Sequence, residues 1–326
     1  MAIMKPTISI LTPTWNRAEY LYRVWDGLVN QTFKSFEWIV ANDGSDDNTI
    51  EVVNELAMKS DFPITLINAS VRVGKSRMDN EAVHCANGEF ILWCDSDDYL
   101  YSDALEVLLA TWNSINIEER NDFKGVTALC ETMEEGILGR KYPEDEYTDI
   151  EFNQLLNHMR ADLVIFTKAD LLKENPFLEV DFLISESSVW NILGVKKTRF
   201  IPRVLERKTY REPHCLSYSG LMEYNRGKAY AMAVTECYLE GSLSIFEKMK
   251  RRINYLRYVI HGEVTLLRAI MVWSGSRSDA FILPIYLPFS YILVLKDHLQ
   301  GKVRKSHRQF NDAIKQVKIK TIQLND

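Results

Sequence analysis

Glu89-Phe90-Ile91-Leu92-Trp93-Cys94-Asp95-Ser96-Asp97-Asp98 is the stretch on which the reading of this chain turns. After Glu89 it is apolar and aromatic for five residues, the composition of a buried strand. It then runs directly into three carboxylates within four residues. Negative charge at the end of a hydrophobic strand is costly unless a cation or hydrogen-bond donors neutralise it. An extended or tightly turned segment can bring Asp95 and Asp97 near one point and turn Asp98 elsewhere. Hard oxygen donors of this kind suit Mg2+ or Mn2+, ions that bridge protein carboxylates to phosphates. A strand-end turn followed by an Asp helix cap would leave the same pattern, and the tetrad alone does not separate the two.

The residues before it decide the matter. Residues 7–12 read as a strand ended by Pro13, and residues 19–28 have helical spacing. Residues 36–41 (FEWIVA) read as a second strand, closed by the turn Asn42-Asp43-Gly44-Ser45. A helix over 46–58, with acidic residues in its first turn as the dipole prefers, a strand over 64–67 and a helix over 76–85 complete the run to the strand at 89–94. Strand and helix alternating at this spacing imply βαβ units: an α/β, Rossmann-like fold with a mostly parallel sheet and helices on both faces. Ligands of such sheets sit outside the carboxyl ends of the strands. Thr12-Pro13-Thr14, Asn42-Asp43-Gly44-Ser45 and Asp95-Ser96-Asp97-Asp98 all fall there, which turns three ordinary turns into one candidate site.

Two further groups belong with it. In Asp43-Gly44-Ser45 the carboxylate could hold a base or ribose, with Gly44 allowing close approach; a plain Asp-Gly turn reads the same way. Arg72, Lys75 and Arg77 surround Gly74 just before a helix, where cationic side chains and free backbone N–H groups could meet a diphosphate. A solvated basic loop is the other reading.

The rest of the chain is less regular. A strand is expected over 163–167, and Glu186 precedes a short amphipathic helix containing Trp190. Helices are expected over 228–239, 243–259 and 263–271. The expected boundary lies near residue 220, between a catalytic domain over 1–220 (halves 1–130 and 131–220) and a C-terminal helical region over 221–326. Residues 280–295 form a sixteen-residue run without a charge, shorter than a membrane-spanning helix needs and interrupted by Pro284 and Pro288. A lipid-facing or partner-facing stretch is the expectation there. Residues 296–320 hold eight Lys and Arg, which could dock on anionic lipid or form a solvated face or dimer contact.

Composition bounds the partners. The 326 residues are 46% hydrophobic and 26% charged, the balance of a globular protein, and the net charge of -6 gives no reason to expect nucleic acid. The five cysteines form no CxxC pair, so a reducing, cytoplasmic setting is the simplest expectation. The N-terminal segment has too short an apolar run for a secretory leader.

Residues 7–100 resemble the N-terminal half of family 2 glycosyltransferases, which have the GT-A fold. The matching pieces are Ile8-Ser9-Ile10-Leu11-Thr12-Pro13-Thr14-Trp15-Asn16-Arg17, Gln31-Thr32, residues 36–40, Asn42-Asp43-Gly44-Ser45-Asp46-Asp47, Gly74-Lys75 with Asn80, Gly88-Glu89 and Asp95-Ser96-Asp97-Asp98. The resemblance implies that Thr12, Pro13, Thr14 and Arg17 line a nucleotide pocket and that Asp43 binds the base, commonly uracil. It places Asp95 and Ser96 at the ribose and metal, and Asp97 on the Mn2+ or Mg2+ that bridges the diphosphate. Asp79 departs from the family, where many relatives carry Arg before the Asn matched by Asn80, so neutralisation of the diphosphate falls more on Lys75, Arg72 or Arg77.

The implied activity is an inverting, metal-dependent transfer from a nucleotide-diphosphate sugar, most simply a UDP-sugar, to a hydroxyl of a glycan or lipid-linked glycan. Such a reaction needs a carboxylate to take the acceptor proton. Many relatives have a Glu-Asp pair there; this chain keeps Glu186 alone, followed by Ser187, with Asp181 in reserve. His214 lies where several relatives place a third metal ligand. Bacterial relatives build surface polysaccharides, which implies work at the cytoplasmic face of the inner membrane, with peripheral membrane contact through residues 280–320 or homo-oligomerisation. Two rivals remain: a non-catalytic nucleotide-sugar-binding subunit, supported by Ser187, and a sugar-phosphate nucleotidylyltransferase. The second would carry a Gly-rich basic loop after the first strand, where this chain has Thr12-Pro13-Thr14-Trp15-Asn16-Arg17.

Overall fold

A computed structural model describes residues 5–140, 146–180, 184–209, 222–239, 241, 243–302 and 317–325. They fall into two compact units: Met1–Pro176 with Lys196–Tyr210 and Ala313–Asp326, and Phe177–Val195 with Arg211–Asp312. The boundary expected near residue 220 lies among residues outside the described set, and the second unit also takes in Phe177–Val195 and with it Glu186.

The first unit holds strands β1 (Ile8–Thr14), β2 (Phe36–Asn42), β3 (Ile64–Ala69), β4 (Phe90–Trp93), β5 (Tyr99–Leu100), β6 (Phe123–Thr132), β7 (Gly136–Ile137), β8 (Thr148–Glu151), β9 (Leu163–Lys168), β10 (Lys197–Arg207) and β11 (Ile319–Gln323). Its helices are α1 (Leu21–Val29), α2 (Thr49–Met58), α3 (Lys75–Cys85), α4 (Ala104–Asn113), α5 (Phe152–Met159) and α6 (Ala169–Glu174). The strands make one sheet in the order β11-β3-β2-β1-β4-β9-β6-β10-β5, with β7 on β6 and β8 on β10.

The expectation of a mostly parallel sheet holds for β3-β2-β1-β4 and for the β6/β10 pair. Elsewhere the pairing is antiparallel, because β9 runs against both β4 and β6, and β11 runs against β3. The sheet is therefore mixed. Periodicity reads strand existence, not direction, beyond the last regular βαβ unit.

Strands β1, β2 and β3 are buried along almost their whole length, as a sheet covered on both faces requires. Ile8, Ile10, Trp38, Val40, Leu66 and Leu92 share a core with Leu21 and Val24 of α1, Val53 of α2 and Leu108 of α4. Their strand neighbours Leu11, Ile39 and Ile91 are equally buried on the opposite face, where α3 contributes Met78 and Ala82. At the amino ends of the strands, Glu37 is neutralised by hydrogen bonds from Ser9 Oγ at 2.6 Å and the Asn87 amide at 2.7 Å. A Cβ on Gly88 would lie 2.6 Å from Ser9 N, so only glycine closes that end. Polar groups there are used up in joining loops to strands, which leaves the carboxyl ends for a ligand.

The second unit holds α7 (Ser187–Leu193), α8 (Met222–Leu239), α9 (Ile245–His261), α10 (Leu266–Val272), α11 (Arg277–Ile282) and α12 (Leu287–Leu299). Ser244 and Glu247 form a capping box at the start of α9. The core joins Ala229 and Ala233 of α8, Tyr255, Leu256 and Val259 of α9, Ala269 of α10, and Trp273 and Leu283. The prolines expected to break residues 280–295 do not. Pro284 and Pro288 each fall in the first turn of a helical segment, the first a 3-10 turn over Leu283–Tyr286, where a missing N–H costs no bond. Arg277–Leu299 is thus a 23-residue helix, long and apolar enough to cross a membrane by length and composition.

Candidate functional site

The carboxyl ends of β1, β2 and β4 converge in the first unit, as the topology demands. Thr12, expected at the nucleotide, lies inside the sheet: its hydroxyl donates to the Cys94 carbonyl at 2.8 Å and accepts from Trp38 Nε1 at 2.9 Å. Its role is to tie β1 to β4 beneath the site. Two residues on, Thr14 Oγ1 is buried and has no hydrogen-bond partner among the described residues. A buried polar group without a partner is uncommon, so of the two threonines Thr14 is the one available to a ligand.

Asp43, expected at the base, is buried and holds the 71–74 loop. Its Oδ1 accepts from the Val73 and Gly74 amides at 2.6 and 2.9 Å, and the Arg72 guanidinium stands 3.5 Å from Oδ2. Burial pushes its carboxyl up to about 6 despite those donors. Arg72 also stacks on Trp15, 3.8 Å from the ring centroid. Gly44 makes the approach possible: its φ is +66° and a Cβ would lie 2.3 Å from the Val71 carbonyl carbon.

Gly74, with φ +99°, then turns the chain into α3. Lys75 lies in the first turn and pairs with Asp79 at 3.0 Å. Asp79, the departure from the family, is buried and also accepts from Trp93 Nε1 at 3.4 Å. Asn80 follows on the same helix. Arg77 is turned away, donating to the Val317 carbonyl at 2.9 Å. Of the three cations expected at the diphosphate, Lys75 is the one whose charge acts on Asp95.

The tetrad is a tight turn, with the Asp98 amide bonded to the Asp95 carbonyl at 2.9 Å. One of its three carboxylates is paired with Arg17, and the other two share Lys208. Asp97 is bound by Arg17. Asp98 accepts from Lys208 Nζ at 2.6 Å and from the Thr209 amide at 3.1 Å. The Asp95 side chain is 45% exposed, with Lys208 3.9 Å away. The charges of Lys75, Lys208 and Arg17 together hold the Asp95 carboxyl below the usual range. The backbone is pinned as well: the Asp97 carbonyl accepts from Arg23 at 2.8 Å and from Thr209 Oγ1 at 2.9 Å.

Lys208 and Glu206, which lie at the end of β10, were not singled out by the sequence pattern. Lys208 Nζ stands 3.5 Å from Glu206, a fully buried carboxylate. Burial alone would depress the ammonium, but Asp98, Glu206 and Asp95 outweigh it and raise it well above its ordinary value. Burial in turn pushes the Glu206 carboxyl up. The signal available in the sequence was physical rather than a motif: buried carboxylates require a cation, and β10 brings one only through long-range pairing.

These residues fit a divalent cation. Asp95 presents an open carboxylate and Asp97 a second one paired with Arg17, both hard oxygen donors. Among the described residues no three His, Cys, Asp or Glu side chains form a group that could hold a metal ion. His214 and Asp181 lie outside the described residues. Glu186 lies in the second unit as the residue before α7, its carbonyl accepting from the Val189 and Trp190 amides.

Residues 9–117 match the model of glycosyl transferase family 2. Over 202 residues the chain is 28% identical to the GalNAc(5)-diNAcBac-PP-undecaprenol beta-1,3-glucosyltransferase of Campylobacter jejuni, taking in 60% of this chain and 62% of that one. The chain thus spans less than two thirds of that relative's length. Residues 1–349 of S. aureus TarS, solved with UDP-GlcNAc, share the fold with a TM-score of 0.56 at 19% identity, over 94% of this chain and 97% of that one. A mannosyltransferase of Pyrobaculum calidifontis, solved with GDP-Man and Mn2+, has a TM-score of 0.52 at 17% identity, over 90% and 88%. At these identities the likeness is one of fold.

Proposed function

This chain is a family 2 glycosyltransferase with the GT-A fold, and we propose that it moves a sugar from a UDP-sugar to a hydroxyl of a glycan or lipid-linked glycan by one inverting displacement. The observation that carries this reading is the surplus of negative charge at the carboxyl end of β4. Asp95 and Asp97 stand there between Lys75 and Arg17, at the entrance to α3. Carboxylates for a cation beside a helix start and a lysine for an anion are the two halves of a metal-diphosphate site. Asp97 and Asp95 would hold Mn2+ or Mg2+, and the ion would supply charge neutralisation to the leaving diphosphate. The P. calidifontis relative's Mn2+ and the TarS nucleotide sugar support this choice of cofactor and donor. Asp43 would receive the base, and Thr14 and Ser96 would contribute at the ribose.

Glu186 is the proposed base. Its carboxylate takes the acceptor O–H proton as that oxygen bonds to the anomeric carbon, and the nucleoside diphosphate leaves with the electron pair of the broken C–O bond. The C. jejuni relative acts on an undecaprenol-linked glycan, which favours a lipid-linked acceptor and work at the cytoplasmic face of a membrane, with contact through residues 280–320.

The test separates the halves. Asp97→Ala should abolish both transfer and donor hydrolysis, and the protein should no longer gain thermal stability from UDP-sugar with Mn2+. Glu186→Gln should keep that gain and lose roughly a hundredfold or more in transfer. Undiminished transfer in the Glu186 variant removes it as the base. Donor-induced stabilisation of the wild type with no turnover on any acceptor would instead favour a binding subunit.

A further inference from the structure

We infer that the outward face of the Arg277–Leu299 helix is an in-plane anchor for an anionic lipid bilayer, seated at the interface without crossing it. Phe281, Ile285, Phe289, Ile292, Leu295 and Leu299 recur at intervals of three and four, so they line one helix face, and each is 57–86% exposed. Scattered exposed apolar residues are ordinary; six in one stripe are not.

The charges around this stripe choose the occupant. No charged residue lies between 281 and 295. The helix has two carboxylates, and both are turned inward and neutralised: Asp279 by Arg252 at 2.7 Å, Asp297 by Arg257 at 2.5 and 2.6 Å and by His261 Nε2 at 2.8 Å. The ionic side chains left exposed at its ends and just beyond are cations, Arg277, Lys296 and Lys302. An apolar centre flanked by cations, with no outward carboxylate, complements the acyl boundary and anionic headgroups of a bilayer.

The inward face decides against crossing. A 23-residue helix is about 35 Å long, enough for the hydrocarbon core. Insertion, however, would strip Asp279 and Asp297 of their arginines and carry both into lipid, and would break the bond from Ser290 Oγ to the Ile253 carbonyl at 3.0 Å. Lying in the interface preserves all of these and buries only the stripe. The inference deepens the lipid-linked reading above and rests on it for its purpose, though its physics stands on this helix alone.

The full chain should float with phosphatidylglycerol–phosphatidylcholine vesicles, bind phosphatidylcholine vesicles more weakly, and lose the difference in high salt. The variant Phe281→Ser/Ile285→Ser/Ile292→Ser should bind anionic vesicles roughly tenfold less tightly at an unchanged melting temperature, since only exposed residues change. Absence of flotation, or equal flotation of the variant, overturns the anchor. A lipid-free dimer that the variant abolishes assigns the stripe to a second copy instead, and a reconstituted chain that resists alkaline washing assigns it to a span. No substrate is present in these assays. Transfer to a soluble acceptor, measured apart, should be unchanged in the variant; if the wild type floats but never transfers, the enzyme reading fails and the anchor stands.

Discussion

The two units each bury carboxylates against cations, and they do so with opposite arithmetic. Around β4 and β10, Asp98, Glu206 and Asp95 lie 2.6, 3.5 and 3.9 Å from one ammonium, Lys208. Between α9 and α12, Asp297 has the Arg257 guanidinium in a two-bonded pair, and Asp279 has Arg252. The second arrangement is closed and leaves no charge for a ligand to answer. The first keeps an excess of carboxylate, with Asp95 45% exposed and the Asp97–Arg17 pair beside it. Buried ion pairs are weak evidence of function in themselves; the unbalanced set is the one that reads as a site, and the balanced set as scaffold.

Removing Lys208 should produce the largest effect, because it sharpens that contrast most. Lys208→Ala leaves buried carboxylates without a cation, and the loss of stability in chemical denaturation should be about 3–5 kcal/mol. Adding Asp98→Asn to Lys208→Ala should return part of it, since the second change removes the charge that was stranded. A loss below about 1 kcal/mol would mean that protons, not Lys208, neutralise the cluster, and the distinction between the two units would collapse.

What the sequence made legible follows the same division. The first four strands, their helices and the turns at Asp43 and Asp95 could be read because each βαβ unit is local and its buried strands repeat a simple pattern. Asp98 was read as turned away from Asp95 and Asp97, yet it shares Lys208 with Asp95. Lys208 itself was not legible, being 110 residues from Asp98 and brought there by β10, whose pairing no local pattern encodes. Thr12 was assigned to the ligand because it ends a strand in the right motif; only the packing reveals that Trp38 and Cys94 consume its hydroxyl. The helix over residues 277–299 was misjudged at its prolines, since a proline breaks or begins a helix according to position, which a composition count ignores. The absence of outward carboxylates on that helix likewise depends on Arg252 and Arg257, one helix away.

Asp43 stands between the two kinds of acid, buried yet answered mainly by backbone amides, and it should give a smaller effect with a pH signature. Burial raises its carboxyl from 3.8 to about 6. The native state therefore holds the proton more tightly than the unfolded chain. This contribution to stability is complete below about pH 4 and is lost as pH rises through about 6, with a ceiling of about 3 kcal/mol. Against the sum of other groups it is isolated by comparing melting temperatures of wild type and Asp43→Asn from pH 4 to 7: the difference curve should slope in that window and flatten above it. If Asp43 also receives the base, UDP affinity should fall as the carboxylate protonates below about pH 6. A flat difference curve would show that Val73 and Gly74 fully offset the burial.

The smallest of the three effects should come from the balanced set, and it tests whether scaffold and site are separable. Asp297→Ala removes the partner of Arg257 and of His261, but Arg257 is a quarter exposed and can turn to solvent. The expected loss is therefore nearer about 2 kcal/mol than the full cost of a stranded buried charge. It should weaken as pH falls through the native carboxyl's range, because the hydrogen bonds and charges of Arg257 and His261 hold that carboxyl below its ordinary value in spite of burial. Stabilisation by UDP-sugar with Mn2+ should be unchanged in this variant, since Asp297 belongs to the helical unit and the donor carboxylates to the other. Lost donor binding at intact stability would be the informative failure: charge balance would then no longer distinguish a structural acid from a functional one in this fold.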